Sequence, residues 1–346
     1  MAKDRPAPTR RDMARTVLGA AGAAGLAGAF APAADLKLGL YSITYLGLWY
    51  RGPALTLEEV IGRAKKFGYA GVEIDGKRPH GNPLDMPKTR CREIRKYADD
   101  HGIELYAVAG NNDLSSPIPE HREAQLVYMH DLIRMTSDLG VKLLRVFAAW
   151  PGVTALQGGG GRYDMAKRLW ERTHEEFSEE QTWTWCRDSM RELSKYAREA
   201  GVTLALQNHP PLIHSYHDVL RMVKEVDSPN LKVCFDARIE HGAKADDIVR
   251  ATREIGALQV LTHYGNEYEE SNGHPVPKED ELAVAQVNGL LDIGYKGYLG
   301  FEFCHPVPVV DGHPVGVEHI DKNARLAAQY LRETIAEAKR ARAGAA

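Results

Sequence analysis

The sequence predicts a single-domain α/β protein, a (β/α)8 TIM barrel, over residues 35–340 of the 346-residue chain. The first observation is a repeat: seven times an amphipathic stretch ends in a glycine or a short turn, and a β-rich run follows. The second is that these β-rich runs are continuously apolar, which is typical of strands covered on both faces. The third is a contrast between short helix-to-strand turns and long strand-to-helix connections.

The predicted elements follow one another along the whole of this region. An opening segment at 36–45, LKLGLYSITY, predicts the first strand, and the segment at 321–342 predicts the last helix. Between them lie the seven helix-then-strand repeats, at residues 55–74, 91–109, 132–148, 190–209, 218–237, 248–264 and 287–303. Apolar residues fall at helical spacing in these repeats, as Val60, Ala64 and Phe67 do in the first. A doubly wound open sheet is the competing fold, but it would normally carry a glycine-rich phosphate loop after its first strand, which this sequence lacks.

The long connections all follow predicted strands. They lie at residues 76–88, 110–120, 149–180, 264–281 and 303–318. Because the chemistry of TIM barrels lies at the C-terminal ends of the strands, we expect the functional residues in or beside these connections. The connection at 149–180 contains QGGGGRYD, which is typical either of a lid with a glycine hinge or of an exposed flexible insert.

Charge and cysteine content exclude several classes of protein. The net charge is −3, so the chain has no basic excess of the kind that nucleic-acid partners require. The four cysteines are scattered and form no CxxC pair, which argues against a zinc knuckle or a disulfide framework.

The N-terminal residues differ in character from the rest. They have a basic start, an Ala/Gly/Leu run from Val17 to Ala31, and small residues around the end of that run. The run is too short to span a bilayer of about 30 Å, and TRRDM at 9–13 resembles a twin-arginine signal. We therefore predict an export signal over residues 1–34, cleaved or disordered, a periplasmic or extracellular location, and no stable membrane span afterwards. The competing interpretation is an amphipathic or disordered tail. Removal of residues 1–33 takes away five basic and two acidic residues and changes the net charge from −3 to −6.

Four successive predicted strands end on side chains with metal-ligating atoms. These are Gln207, Asn208 and His209 after the fifth strand, Asp236 after the sixth, His263 after the seventh and Glu302 after the eighth. Singly, each has an ordinary explanation, such as a helix N-cap for an aspartate. Together they predict a cation site, because two unpaired carboxylates at one barrel mouth would cost several kcal/mol to bury. An imidazole nitrogen with several oxygens suits Mn²⁺, Mg²⁺, Co²⁺ or Zn²⁺.

The chain resembles the xylose-isomerase-like TIM-barrel superfamily over nearly all of residues 35–335. That group includes sugar-phosphate isomerases and epimerases, ketose 3-epimerases, inosose dehydratases and a branch of abasic-site endonucleases. The resemblance implies one divalent metal ion, with Mn²⁺ preferred, held by Glu, Asp, His and Glu at the ends of strands five to eight. The last three ligands fall on Asp236, His263 and Glu302, whereas the first falls on Gln207.

Glutamine at position 207 changes the expected chemistry. Its amide oxygen can still ligate a metal ion, but the amide cannot take up a proton. The two-carboxylate proton exchange of the related ketose epimerases therefore cannot run unchanged. Glu302 is the predicted base, and the second proton transfer is assigned to one of three histidines. These candidates are His209, His80 and His241.

Further polar residues are predicted to bind substrate. They are Lys77, Arg145, Asn208, Arg238 and His241. A surface salt bridge explains each of the three basic side chains among them equally well.

The predicted activity is that of a metal-dependent sugar isomerase or epimerase, acting by proton abstraction next to a carbonyl. A lyase acting on 3-keto-glycosides through the same enediolate is the first alternative, and a non-catalytic exported sugar-binding barrel is the second. The net charge of −6 argues against an abasic-site nuclease. The expected partner is a small carbohydrate, with no nucleic acid, and a homo-oligomer is compatible with the sequence.

Overall fold

Eight parallel strands close into one barrel in the computed structural model, which describes residues 35–156, 160–240, 242–279 and 282–344. The barrel strands are β1 (Asp35–Tyr41), β2 (Gly71–Asp75), β3 (Glu104–Ala109), β4 (Leu143–Val146), β5 (Thr203–Gln207), β6 (Leu231–Cys234), β7 (Gln259–Tyr264) and β8 (Lys296–Phe301). The helices are α1 (Leu57–Phe67), α2 (Lys88–His101), α3 (Pro119–Asp138), α4 (Tyr163–His174), α5 (Glu179–Ala200), α6 (Tyr216–Val226), α7 (Ala245–Ile255), α8 (Ala283–Asp292) and α9 (Val317–Ala343).

Each barrel strand pairs in parallel with its neighbours in the sequence. The barrel closes where β1 meets both β2 and β8, with Gly39 opposite Gly71 on one side and Gly300 on the other. The predicted TIM barrel is therefore confirmed, and the open doubly wound sheet is excluded. The predicted export signal lies outside the described residues, as does His241.

Local sequence explains where the helices begin and end. Thr56 and Glu59 form a capping box at the start of α1, because the Thr56 hydroxyl accepts from the Glu59 backbone while the Glu59 carboxylate accepts from the Thr56 backbone. The helix ends at Gly68, whose φ of 80° is accessible to glycine at little cost. Between these ends, Val60 and Ala64 are buried against the barrel, so they define the face of α1 that packs on the strands.

Two stacked tyrosines fill the barrel below the strand ends. The rings of Tyr106 and Tyr298 lie 4.1 Å apart and almost parallel. Glycines make room for them: a Cβ on Gly39 would lie 2.5 Å from the Tyr106 hydroxyl, and one on Gly300 would lie 2.7 Å from it. The same added Cβ on Gly300 would lie 2.8 Å from the His263 ring. The glycines of β1 and β8 thus allow both the tyrosine layer and the histidine above it.

The region 149–180, predicted as a long connection, contains regular structure. It contributes a two-stranded hairpin (Thr154–Ala155 with Gly161–Arg162), all of α4 and the start of α5. The connections after β7 and β8 also contain two-stranded hairpins, at Tyr268–Ser271 with His274–Pro277 and at Val309–Val310 with His313–Pro314. All three hairpins extend the C-terminal side of the barrel. Within the part of the chain that the structure describes, no helix is long and apolar enough to cross a membrane.

The crowding at Gly300 gives a stability test. We expect Gly300→Ala to lower the free energy of unfolding by about 1–3 kcal/mol, because the added methyl overlaps the Tyr106 and His263 rings. Gly62→Ala is the matched control, since that glycine lies inside α1 with nothing within 4 Å of an added Cβ; it should stabilise by about 0.5–1 kcal/mol. Urea unfolding followed by circular dichroism measures both. Equal effects of the two substitutions would contradict the packing described.

Candidate functional site

The C-terminal ends of β5, β6 and β7 meet at the carboxylate of Asp236. Its Oδ2 accepts a hydrogen bond from Gln207 Nε2 and lies 3.2 Å from His263 Nδ1, while its Oδ1 accepts from the His263 backbone N–H at 2.6 Å. Asn208 fixes the backbone here, because its Oδ1 accepts from the Asp236 N–H at 2.9 Å. All four residues are buried. Burial alone would raise the pKa of Asp236, but the charge and hydrogen bonds of His263 hold it below its ordinary value.

The other side of the His263 ring contacts a carboxylate that the sequence analysis missed. Glu73, in the middle of β2, is fully buried and places Oε2 2.6 Å from His263 Nε2. Because β2 and β7 are not neighbours in the barrel, this contact crosses the barrel interior. His263 therefore lies between two carboxylates. Burial would lower the pKa of this imidazole, but the Glu73 and Asp236 charges raise it well above its ordinary value.

A buried guanidinium joins the two halves of this arrangement. Arg145, on β4, is only 4% exposed and donates from Nη1 to Gln207 Oε1 at 3.0 Å. Its Nε lies 3.4 Å from Glu73 Oε1, and its Nη1 lies 3.9 Å from Glu302 Oε2. The guanidinium carbon also lies 4.6 Å from the centroid of the Tyr41 ring. Arg145 was predicted to bind substrate, which stays a prediction; the structure places its side chain in contact with three polar side chains of the site, Glu73, Gln207 and Glu302.

Glu302 is the most exposed of the three carboxylates around Arg145 and His263. It directly follows β8, and its side chain retains 16% exposure, against none for Glu73. Burial raises the pKa of Glu302 above its ordinary value, and the nearby positive charges of His263 and Arg145 oppose that rise without cancelling it. A raised pKa makes this carboxylate a stronger base than an ordinary glutamate, which is the direction that general base catalysis favours.

The donor atoms present fit a divalent ion. Cys234, Asp236 and His263 offer ligand atoms that all lie within 4.8 Å of one another, and Gln207 contacts Asp236 directly. Glu73 holds Nε2 of the imidazole and leaves Nδ1 directed at Asp236, the arrangement in which a carboxylate orients a metal-binding histidine. Burial raises the pKa of the Cys234 thiol to about 12, so this side chain is a neutral thiol here, and the oxygen and imidazole donors are the ones that fit the ion. Among the four predicted ligands, the structure thus brings Gln207, Asp236 and His263 into contact.

Glu302 joins these three residues through Arg145 rather than by direct contact. It also lies outside the group of ligand atoms within 4.8 Å of one another found among the described residues.

A cavity of about 670 Å³ opens above these residues. The residues that we call the floor are polar or bear a hydroxyl: Tyr41, Lys77, Arg145, Gln207, His209 and Glu302. The Lys77 ammonium lies 5.9 Å from the centroid of the Trp150 ring, at the edge of this floor. The cavity has the size and the mixture of apolar surface with few polar groups that small-molecule sites commonly show.

His209 is the predicted histidine that lines the cavity. Its Nδ1 lies 2.6 Å from the Pro210 carbonyl oxygen, so Nδ1 carries the hydrogen and Nε2 is the nitrogen left for proton transfer. The ring also contacts Trp150 edge-on at 4.6 Å. Burial lowers the pKa of His209 to about 4, so the imidazole is neutral at pH 7.

The remaining predicted residues lie away from the cavity. His80 is buried with Nδ1 3.1 Å from the Ser42 hydroxyl and Nε2 2.8 Å from the Leu55 carbonyl oxygen. Arg238 donates to the Gly265 carbonyl oxygen and to Glu279. Asn208 donates to Glu240 at 3.3 Å and to the Asp236 carbonyl oxygen at 3.1 Å. The geometry gives these side chains structural contacts, and none of the three lines the cavity.

Fold and site together define a (β/α)8 barrel with a buried network of carboxylate, imidazole and guanidinium groups at its C-terminal mouth. A family model described as "Xylose isomerase-like TIM barrel" matches residues 61–334. The chain belongs to this xylose isomerase-like TIM barrel family.

Known relatives carry the names of epimerases. Fructoselysine 3-epimerase of Escherichia coli O157:H7 is 22% identical over 261 residues, which cover 72% of this chain and 86% of that one. D-psicose 3-epimerase of Clostridium cellulolyticum H10, solved with D-tagatose, aligns with a TM-score of 0.64 at 21% identity, over 86% of this chain and 99% of the other. These matches support the prediction of an enzyme of the xylose isomerase-like superfamily.

Two further solved structures share the fold. The 3-keto-D-glucoside 4-epimerase of E. coli, in its apo form, aligns with a TM-score of 0.60 at 18% identity, over 88% of this chain and 100% of the other. The IOLI protein, solved with a bound zinc atom, aligns with a TM-score of 0.59 at 18% identity, over 87% and 97% of the two chains.

The buried position of Glu73 predicts a large effect on stability. Glu73→Gln leaves the Arg145 and His263 charges without their shared carboxylate and should lower the free energy of unfolding by about 3–5 kcal/mol. Glu93→Gln is the matched control, because that glutamate is exposed and lies 3.6 Å from Arg90; it should change little. Chemical denaturation of the two variants makes the comparison, and a Glu73→Gln protein as stable as the control would refute the network.

Proposed function

We propose that the chain is a sugar isomerase or epimerase-like enzyme that removes a proton from a carbon next to the carbonyl of a sugar or keto-sugar. The observation that carries the proposal is the position of Glu302, a mostly buried carboxylate that lines the cavity within 3.9 Å of the Arg145 guanidinium. A base and a fixed positive charge thus face the same space. The names of the related epimerases are consistent with this reaction class.

The proposed metal site is built on Gln207, Asp236 and His263, which are in contact, with Glu302 as the fourth predicted ligand, which joins them only through Arg145. A divalent ion bound there, with Mn²⁺ preferred and Mg²⁺, Co²⁺ or Zn²⁺ as alternatives, supplies Lewis-acid chemistry for the oxygens of the sugar. Glu73 orients the imidazole of His263 for this role.

Arg145 has a second function in the proposal. Its guanidinium is always charged and is fixed by its contacts to Glu73, Gln207 and the Tyr41 ring. A preorganised charge at the floor stabilises negative charge that develops on a sugar oxygen, without any reorganisation during the reaction.

Proton transfer is assigned to two side chains that line the cavity. Glu302 removes the proton, and His209, which presents its free Nε2, exchanges a proton from a second position. Gln207 cannot fill the second role, because an amide does not take up protons. No proton transfer is assigned to His80, because its two ring nitrogens contact Ser42 and Leu55 away from the cavity. His241 lies outside the described residues and stays a sequence-based candidate.

A lyase acting on 3-keto-glycosides is the second candidate. The observation that favours it is Gln207, because the loss of a carboxylate at this position removes one partner of the two-carboxylate exchange. In an elimination, one side chain removes the proton and a leaving group then departs from the β-carbon. No second side chain is needed to return a proton to carbon. A non-catalytic sugar-binding barrel is the third candidate and predicts no proton exchange at all.

We also propose that residues 1–34 direct export by the twin-arginine route, on the sequence features described above. Export would place the barrel in the periplasm or outside the cell. N-terminal sequencing of protein recovered from outside the cytoplasm tests this, and recovery of the chain only inside the cytoplasm would contradict it.

Deuterium exchange tests the proposed base. The wild-type protein should exchange the C–H next to the carbonyl of at least one member of a panel of ketoses and 3-keto-glycosides in D₂O, as followed by ¹H NMR. Glu302→Gln should reduce that exchange rate by about 10²–10⁴-fold, because the amide cannot accept the proton. Glu171→Gln, a glutamate at the rim of the same cavity, should leave it nearly unchanged.

The outcomes separate the three candidates. Exchange without release of the aglycone supports an epimerase or isomerase, and exchange with release supports a lyase. Binding without exchange by the wild-type protein would support the sugar-binding barrel and overturn the proposed catalysis.

Metal binding is tested separately from activity. Asp236→Asn should weaken Mn²⁺ or Zn²⁺ binding strongly in isothermal titration calorimetry, because Asp236 is the central oxygen donor of the site. Asp100→Asn, in an exposed pair with Lys96, is the control and should bind metal like the wild-type protein. Circular dichroism establishes that both variants are folded. Equal affinities in all three proteins would remove the metal site from the proposal.

A further inference from the structure

The upper part of the cavity is built from aromatic side chains. The residues that we call the aromatic wall are Trp49, Trp150, Tyr163 and Trp170. The ring centroids of Trp49 and Tyr163 lie 5.1 Å apart, and those of Trp150 and Tyr163 lie 5.9 Å apart. These distances are those of aromatic rings in direct contact, and the Tyr163 ring is inclined by 40° to Trp49 and by 68° to Trp150, so the first three rings form one cluster of differently oriented faces.

The wall is held to the barrel by specific contacts. The Tyr163 hydroxyl donates to the Cys304 carbonyl oxygen at 2.6 Å, beside Glu302. The Trp170 indole N–H donates to the Ser115 hydroxyl at 2.8 Å. A Cβ added to Gly161 would lie 2.8 Å from the Trp49 ring, so the hairpin that carries this glycine packs closely on the ring. Three separate elements thus hold the aromatic surface in place.

One face of α4 extends the cavity away from the floor. Tyr163, Lys167, Trp170 and Glu171 all line it, at the spacing that places residues on one side of a helix. Trp170 lies seven residues after Tyr163 in the helix, a rise of about 10 Å, so the cavity continues well beyond the ring that lies beside the floor. At the far end, the side chains of Lys167 and Glu171 are largely exposed and form a polar rim.

The distribution of polar groups divides the cavity into two parts. The groups proposed to perform chemistry, including Arg145, His209 and Glu302, lie on the floor. The aromatic wall offers mainly apolar ring faces, chiefly those of Trp150, Tyr163 and Trp170, because Trp49 is only 2% exposed. One sugar ring is enough to contact the polar groups of the floor. It leaves the aromatic wall uncovered, because the cavity of about 670 Å³ is larger than the volume of a single ring. Apolar ring faces in a preformed cavity bind a second ring by stacking.

We infer that the substrate is a glycoside with two rings: a sugar or keto-sugar ring on the floor, and a ring-containing aglycone or second pyranose stacked on the aromatic wall. This inference rests on the proposed function for the identity of the first ring. The shared chemistry of the second group is a flat face that stacks on indole or phenol rings. Aryl aglycones and second sugars both have such a face, and a methyl group has none.

Binding of unreactive glycosides tests the subsite without any catalysis. Phenyl glucoside, cellobiose and methyl glucoside are titrated into the full-length protein, with calorimetry as the readout. We expect the ring-bearing glycosides to bind at least several-fold more tightly than methyl glucoside. Trp170→Ala should weaken their binding by about three- to tenfold and leave methyl glucoside unaffected. Phenyl glucoside and cellobiose then distinguish an aryl aglycone from a second sugar.

Two further variants serve as controls. Trp170→Phe keeps an aromatic face that can stack on the His174 ring, as the indole does at 4.0 Å, and loses the hydrogen bond to Ser115, so it should retain the preference for a second ring. Trp185→Ala removes a tryptophan that contacts Phe177 and Arg122 outside the cavity, and should change no affinity. Equal binding of methyl and ring-bearing glycosides by the wild-type protein, or an unchanged preference in Trp170→Ala, would overturn the inference.

The two proposals fail in different ways. If the ring preference is absent but Glu302-dependent exchange occurs on a free ketose, the subsite fails and the proposed function stands. If the ring preference is present and depends on Trp170, but no sugar undergoes exchange, the subsite stands and the proposed catalysis fails.

Discussion

The geometry of the barrel mouth depends on a buried line of charges, from Glu73 through His263 to Asp236, with Arg145 beside it. A carboxylate in the middle of a barrel strand would be strongly destabilising if it were alone. The cationic side chains of His263 and Arg145 compensate for the negative charge of Glu73, and their contacts with Glu73 orient both of them. The imidazole is held with Nδ1 towards Asp236, and the guanidinium is held against Gln207. Backbone pairing closes the barrel, and these charge contacts then fix how the side chains at the ends of its strands are oriented.

Much of the fold could be predicted from the sequence, because helix periodicity, continuous apolar strands and C-terminal glycines such as Gly68 are local properties. The contact of Asp236 with His263 could also be anticipated, since parallel neighbouring strands bring their ends to one edge. Glu73 was not predicted as a site residue, because it lies in the middle of a strand rather than at its end. A single carboxylate within the apolar run GVEI was nevertheless a visible indication that this residue has a special role. The contacts of His80 could not be anticipated, because its partners, Ser42 and Leu55, are distant in sequence and only the folded chain brings them together.

The insert between β4 and α5 illustrates a second limit of sequence reasoning. Tyr163 and Trp170 have helical spacing, but the surface they share lines a cavity rather than the core. A sequence pattern does not distinguish a helix face that lines a cavity from one that packs on the core, because both favour apolar residues on one side of the helix. Their placement depends on long-range contacts, such as the hydrogen bond from Tyr163 to the Cys304 carbonyl oxygen. The aromatic wall thus follows from tertiary structure.

The amide at position 207 is matched to the charges around it. Gln207 accepts from Arg145 and donates to Asp236 at the same time, which a carboxylate cannot do. A glutamate here would place a second negative charge against Asp236, next to a guanidinium already shared with Glu73 and Glu302. The amide therefore lowers the negative charge available to a divalent ion and leaves Arg145 as a permanent positive charge at the floor. Under the proposed function, Arg145 would share with a bound divalent ion the stabilisation of a developing oxyanion, and proton exchange would be assigned to Glu302 and His209, which both line the cavity.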